Sequence, residues 1–310
     1  MPGQPQKSFR AGFVAIVGRP NVGKSTLLNR ILGEHVAIVS PRPQTTRSRI
    51  LGLHNRPGAQ IAFFDTPGLH RAKGALNRHM VETALRTLVE VDAILFLVEA
   101  GTGPGGRVEI GDATRWAVEE VKRAGKPALL GVNKMDRAPR PTLLPVLDAY
   151  RGLHDWRELV PFSALTGENV DRLLEVLCQH LPEAEGQLFP ADVLTDQAER
   201  QLAAEYVREQ LMLRTRQEIP YAAAVEVEEF DEGERREGGG LLRIAAVICL
   251  ERDSQKAIVI GKGGAMLKQI GTGARQGLER LLGCKVFLSL TVKVEERWSE
   301  RESSLRRLGL

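Results

Sequence analysis

The chain of 310 residues, 43% hydrophobic and 26% charged, is long enough for two ordinary domains and has the balance of a globular rather than a disordered protein. Its three cysteines, Cys178, Cys249 and Cys284, lie far apart without a CxxC pair, which argues against a disulfide framework or zinc site and for a reducing, cytoplasmic setting. The net charge of +4 hints at a polyanionic partner, and no window reaches the ~18 consecutive apolar residues of a membrane span.

Over residues 1–181, short apolar runs alternate with amphipathic stretches. Residues 13–17 read as a buried strand and 24–32 as a helix, with Leu27, Leu28, Ile31 and Leu32 at helical spacing. Further strands are predicted at 61–64, 91–98, 128–132 and 159–162; the last three precede helical patterns at 108–124, 143–153 and 170–181. Such alternation predicts a parallel sheet covered on both faces, with ligands beyond the carboxyl ends of the strands. Residues 182–190, with a proline near each end, read as a linker, so the expected domains are 1–181 and 191–310. The second begins with a helix at 196–217 and strands at 221–230 and 241–250 around a Gly238-Gly239-Gly240 turn. Two helices follow, split by Gly261-Lys262-Gly263-Gly264, and a last strand places Val286, Leu288, Leu290, Val292 and Val294 on one face. The order is α-β-β-α-α-β.

Gly18-Arg19-Pro20-Asn21-Val22-Gly23-Lys24-Ser25 matches GxxxxGK[ST] between a predicted strand and a predicted helix. In that context backbone N–H groups and a helix N-terminus cradle phosphates. Gly18, Asn21, Val22, Gly23 and Thr26 then belong to the cradle, Lys24 reaches the β- and γ-phosphates, and Ser25 ligates Mg²⁺. Asp65-Thr66-Pro67-Gly68 ends the 61–64 strand, where Asp65 is a second group for Mg²⁺ and the Gly68 N–H senses the γ-phosphate. Asn133-Lys134-Met135-Asp136 closes the 128–132 strand. One carboxylate accepts both N1–H and the 2-amino group of guanine, a pair that adenine lacks, so Asp136 selects GTP and GDP. Asn133 either binds the base or braces the P-loop, the Lys134 stem lies over the ring, and Ser163-Ala164-Leu165 offers a backbone N–H to guanine O6. Gln44-Thr45-Thr46-Arg47 supplies a threonine that ligates Mg²⁺ while the γ-phosphate is present. Leu69 stands where Ras-like enzymes carry a water-orienting glutamine, so slow hydrolysis is expected, with the water positioned by backbone groups, Thr46, a partner or a cation, such as a potassium ion seated by Asn21. His70 reads as a solvated loop histidine rather than a general base. In order and strand position these elements resemble translation-factor-type GTPases, which implies an α/β P-loop GTPase domain with a mostly parallel sheet.

Residues 254–293 hold seven basic side chains against one acidic, Glu279, and within them lies the GxxG loop. Its glycines let a sugar-phosphate backbone rest on the turn, the next helix offers free N–H groups, and Lys262 adds charge. Ile260, Gly261, Lys262, Gly263, Gly264 and Lys268 are the candidate RNA contacts, with Ile258 also lining an apolar groove. In the α-β-β-α-α-β order this loop resembles the type II KH fold, an α+β domain for single-stranded RNA. GRPNVGKSTLLNRILG, QTTR, FDTPGLH, NKMD, SAL, VIGKGG, a VKV strand, Trp298 and LRRLGL together resemble the Era family over about 13–310. That resemblance implies Thr46, before Thr45, as the switch threonine, and Lys24, Thr46 and Gly68 as the groups acting on the γ-phosphate. It further implies a cytoplasmic, monomeric GTPase whose KH domain binds the 3′ end of 16S rRNA in processing and 30S subunit assembly. Loose peripheral membrane association occurs in some members.

Overall fold

Alternate residues of β1 (Arg10–Gly18) face opposite ways and both faces are buried: Val14 and Ile16 join one apolar core, Ala15 and Val17 another. A strand covered on both faces has no polar side to show, which is why it reads as an unbroken apolar run. The computed structural model describes residues 9–72, 74–101, 108–236 and 239–310. It divides into two units: Met1–Ala37, Thr46–Ala72 and Met80–Asp196 form the first, and Ile38–Thr45, Lys73–His79 and Gln197–Leu310 the second.

The first unit is built on a six-stranded sheet of order β2-β3-β1-β4-β5-β6. Its other strands are β2 (Ile50–Arg56), β3 (Ala59–Asp65), β4 (Ala93–Glu99), β5 (Ala128–Asn133) and β6 (Leu159–Pro161). All neighbours pair parallel except β2, which runs antiparallel to β3 from Ile50 opposite Asp65 to Arg56 opposite Ala59. One face carries α1 (Lys24–Leu32) and α5 (Val170–Gln179) through Leu27, Leu28, Leu173 and Leu177. Against the other lie α3 (Asp112–Ala124) and α4 (Leu143–Arg151), with Ala84 and Leu88 of α2 (Ala75–Glu90). Neither β2 nor α2 was among the predicted elements, and α3 begins at Asp112 rather than 108.

Residues 182–190, predicted as a linker, lie along this unit. Pro182 O accepts from the Ala11 N–H at 3.2 Å, and Phe9 O accepts from the Ala184 N–H at 2.9 Å. Gln60, fully buried in β3, accepts at Oε1 from the Leu188 and Phe189 N–H groups at 2.7 and 3.0 Å. The Leu53 N–H reaches Leu194 O at 2.8 Å, so the chain leaves the unit only after Asp196.

The second unit contains the predicted α-β-β-α-α-β elements in order and adds two short helices, α7 and α10: α6 (Glu199–Arg214), α7 (Ile219–Ala222), β7 (Ala224–Arg236), β8 (Gly239–Leu250), α8 (Asp253–Ile260), α9 (Ala265–Leu282), β9 (Lys285–Val294) and α10 (Glu302–Arg307). The one-turn α7 occupies the start of the strand predicted at 221–230, because Pro220 presets helical φ there. Part of the predicted Gly238-Gly239-Gly240 turn lies outside the described residues. β7 and β8 pair antiparallel with two bulges, and β9 runs parallel to β8 with Leu241 opposite Lys285 and Leu250 opposite Val294. Along β9 the even-numbered residues turn inward and the odd-numbered ones are exposed, as the alternation predicts. Trp298, fully buried, donates from Nε1 to Ala222 O at 2.8 Å and pins the C-terminal segment. Among the described residues no helix is long and apolar enough to cross a membrane.

Candidate nucleotide and RNA sites

β1 delivers the chain to Gly18 and α1 resumes it at Lys24, so the P-loop lies at the carboxyl end of the central strand. Gly23 has φ 98°, and a Cβ there would sit 2.3 Å from Asn133 Nδ2; only glycine fits. Lys24 is 6% exposed and its Nζ donates to Arg19 O at 3.2 Å. Burial holds its pKa below the usual lysine value, with Asp65 opposing the shift.

Asp65, at the end of β3, is fully buried, and burial pushes its carboxyl above the usual range against Lys24 and the hydroxyls of Ser25 and Thr46. Ser25 Oγ donates to Asp65 Oδ2 at 2.6 Å; Thr46 Oγ1 lies 3.3 Å from the same oxygen and 3.0 Å from Ser25 Oγ. Asp65 Oδ1 is buried without a hydrogen-bond partner. Three hard oxygen donors, one with unused lone pairs in a dry setting, fit Mg²⁺. Thr45 turns elsewhere: its Oγ1 donates to Arg42 O at 2.7 Å and lies 2.8 Å from Ser40 Oγ.

The turn after Asp65 is tied to the P-loop. Leu69 N–H donates to Gly18 O at 3.0 Å, and Gly68 packs so closely on Pro20 that a Cβ would lie 2.7 Å from Pro20 Cγ. The Leu69 side chain is fully buried in the core on one sheet face. His70 is not the solvated loop histidine that its flanking residues suggest. It is half-buried, its Nδ1 lies 2.7 Å from Gly68 O, and its Nε2 is buried.

Asn133, 2% exposed at the end of β5, donates from Nδ2 to Val22 O at 2.8 Å and accepts at Oδ1 from the Ala164 N–H at 2.9 Å. Of the two roles open to it, this is the brace between P-loop and base loop. Ala164 N–H is therefore engaged within the protein. Lys134, in the left-handed region at φ 67°, donates to Asn21 O at 2.7 Å and pairs with Glu99 at 2.5 Å. Ser163 Oγ donates to Asp136 Oδ1 at 2.6 Å and aims that carboxylate. Arg30 of α1 went unnoticed in the sequence: its guanidinium donates to Ala164 O at 3.2 Å and to Leu165 O, holding the base loop from behind. A surface arginine on a helix carries no local mark of such a bond.

In the second unit Gly261, Gly263 and Gly264 have φ 70°, 60° and 79°, and a Cβ at Gly263 or Gly264 would meet nothing within 4 Å. The turn is open, with Lys262 exposed on it and Lys268 exposed one turn into α9. No side chain caps α9 at Gly264, and the first N–H of the helix, that of Ala265, donates to Lys262 O within the turn. Ile258 is 50% exposed on α8, and Leu288, Leu290 and Val292 are partly buried on the inner face of β9.

Phosphate, magnesium and guanine positions in one unit and an open GxxG turn in the other are the working parts of a P-loop GTPase carrying a KH domain. Comparison with known proteins agrees: residues 13–134 match a family described as 50S ribosome-binding GTPase, and 218–299 match the KH domain. GTPase Era of Geobacter metallireducens is 52% identical over 97% of this chain and 98% of its own length. That of Geotalea daltonii is 49% identical over 98% and 99%. Two solved structures align at TM-score 0.89 and 43% identity, over 97% of this chain and 99% of theirs. One is an Aquifex aeolicus Era variant bound to GDP·AlF4⁻, the other Era with MgGDPNP and nucleotides 1506–1542 of 16S ribosomal RNA. The chain belongs to the GTPase Era family and hydrolyses GTP.

Proposed function

We propose that this protein is a cytoplasmic switch whose KH unit binds the single-stranded 3′ end of 16S rRNA during small-subunit assembly, under control of the nucleotide in the first unit. The observation that carries the reading is the pairing, in one chain, of the Ser25–Thr46–Asp65 cluster with a GxxG turn that has space for a phosphate. The Era structure with 16S nucleotides supports this target, and the family description naming the 50S particle covers only residues 13–134.

In this reading P-loop N–H groups and Lys24 hold the β- and γ-phosphates, and the Gly68 N–H marks the γ-phosphate. Ser25, Thr46 and Asp65 would hold Mg²⁺, which would supply charge neutralisation at the phosphates. Lys24 and Asp65 are kept dry and opposed, so a phosphate and a divalent cation each relieve one of them. Asp136, aimed by Ser163, reads guanine, while Arg30 and Asn133 hold the loop around it. At the turn, RNA phosphates lie against the glycines and the α9 N-terminus, Lys262 and Lys268 add charge, and bases reach Ile258 and Ile260.

The test is a binding series with the 3′ tail of 16S rRNA, the same tail paired into a hairpin, and an unrelated strand, each with GDP and a non-hydrolysable GTP analogue. Preference for the tail, stronger with the analogue, is expected. Preference for the duplex would refute the KH reading, and indifference among single strands would refute the target.

A further inference from the structure

Arg208, in the middle of α6, is 3% exposed, a depth at which a guanidinium must be hydrogen-bonded. Glu205 accepts from its Nε at 2.8 Å and from Nη2 at 2.5 Å, and Met212 Sδ lies 3.6 Å from Nη1. Both partners stand one turn away on the same helix, and such pairs form as readily at a solvated helix surface. The remaining bond leaves the helix: Nη2 also donates to Thr45 O.

Thr45 closes the segment 38–45, which belongs to the second unit, and the chain re-enters the first unit at Thr46. That segment is tied down at three points. The Val39 N–H donates to Glu209 Oε1 at 2.8 Å, the Arg42 guanidinium donates to Thr215 O, and Thr45 O accepts from Arg208. The carbonyl held by Arg208 lies in the planar peptide that leads into Thr46, so the bond orients the residue after it. The Thr46 hydroxyl ends 3.0 Å from Ser25 Oγ and 3.3 Å from Asp65 Oδ2, in the oxygen cluster that fits Mg²⁺. The Arg208 bond and these metal-site contacts are made at the same time. α6 in turn packs on α9 through glycines. A Cβ at Gly273 would lie 2.2 Å from Gln210 Oε1, and one at Gly277 would lie 2.4 Å from Tyr206 Cε1. α9 begins at the GxxG turn.

We propose that Arg208 is a positioning residue for the Mg²⁺-ligating threonine, and that α6 couples the metal site to the GxxG turn. The proposal rests on the reading in which nucleotide controls the KH unit, and it names the element of control. By holding Thr45 O, Arg208 favours the arrangement in which Thr46 faces Asp65. Coupling of this kind is reciprocal, so a Thr46 held on the metal stabilises the Arg208 bond and the α6 position that makes it. α9 packs too closely on α6 to ignore that position.

The test is a double-mutant cycle on the full chain. Arg208→Met, Thr46→Ala and the pair are compared for GDP and GDPNP affinity over a Mg²⁺ titration. Methionine fills the site without a donor. Arg208→Met should leave GDP affinity within about 2-fold and lower GDPNP affinity by about 10-fold or more, the weight of one bond from a charged donor. More Mg²⁺ should then be needed for half-saturation. In the pair the loss should be no greater than in Thr46→Ala alone. Glu205→Gln, which leaves an acceptor for Arg208 and spares the Thr45 bond, should keep GDPNP affinity. Unchanged GDPNP affinity in Arg208→Met, an equal fall for GDP, additive losses in the pair, or an equal loss in Glu205→Gln would each make Arg208 a packing residue of α6 and overturn the proposal. Hydrogen exchange of the wild-type chain needs no variant. Replacing GDP by GDPNP with Mg²⁺ should slow the amides of 39–46 and of 261–266 together, by about 10-fold. No slowing at 261–266 would overturn the coupling through α6. Neither experiment contains RNA, so a failure of the 16S rRNA target shows only in the RNA series and a failure of Arg208 only here.

Discussion

Replacing Asn133 by alanine separates bracing from base binding. The side chain is 2% exposed, and the groups it serves are equally dry: Val22 is 5% and Ala164 2% exposed. Alanine would leave the Val22 carbonyl and the Ala164 N–H facing each other across a small void, each without its partner at 2.8 or 2.9 Å. An unsatisfied buried backbone group costs about 1–3 kcal/mol, so the two together amount to about 2–6 kcal/mol before relaxation. With a urea m-value of about 3 kcal/mol/M, the midpoint of the first unit should fall by roughly 0.7–2 M. The assay is urea denaturation without nucleotide, followed by fluorescence of Trp156, which packs against Phe96 in that unit. Asn133→Asp is the informative companion: it still accepts from Ala164 but sets a carboxylate oxygen against the Val22 carbonyl, so it should be no better than alanine. An unchanged midpoint in Asn133→Ala, with GDP affinity lost, would show that the side chain acts on the base and that the bracing argument is wrong.

Asp136→Asn should shift preference from guanine to xanthine nucleotides, because the amide meets the base with a donor where an acceptor stood; equal affinity for both in a competition titration would refute the role. Thr46→Ala should leave GDP affinity within about 2-fold and abolish the GTP-specific conformation, and an equal fall in GDP binding would assign Thr46 to the resting site instead. If Asn21 seats a potassium ion, replacing K⁺ by Na⁺ at constant ionic strength will slow turnover, and an unchanged rate removes that ion. Gly263→Asp should abolish RNA binding, as the φ of 60° and the approaching phosphate both reject a charged side chain. Lys262→Ala should weaken all RNA sequences alike and lower the salt slope by roughly one contact, and neither change should alter GDP affinity.

Residues proposed to touch the ligand were legible in the sequence because the ligand's chemistry dictates their type. A guanine fork demands a carboxylate and a phosphate demands glycines and a lysine, and each stands at the end of an apolar run that reads as a strand. The strands themselves were legible where both faces are buried or, as in β9, where buried and exposed residues alternate. β2 was not, since Gly52 interrupts it and its close approach to Leu28, where a Cβ would lie 2.6 Å from Cδ1, is a tertiary fact. α2 did carry a signal, with Leu76, Met80, Ala84 and Leu88 at steps of four and all buried, but it holds no motif to draw attention. The stretch 182–190 has a linker's composition; what docks it is Gln60, a polar residue buried in the middle of a strand, which local patterning counts as a defect.

Residues that hold the ligand-contacting groups in place escape sequence reading for a related reason. Arg30 and His70 act through bonds to backbone carbonyls, and a carbonyl is available at every position, so no partner residue type betrays the pairing. Their selection is geometric: Arg30 reaches a loop 134 residues away, and His70 reaches back two residues only because the Leu69 N–H has already been fixed on Gly18. The Leu69 side chain, sunk into the core, anchors the turn after Asp65, and the Leu69 N–H ties that same turn to the P-loop at Gly18 O, so one residue is held from both its side chain and its backbone.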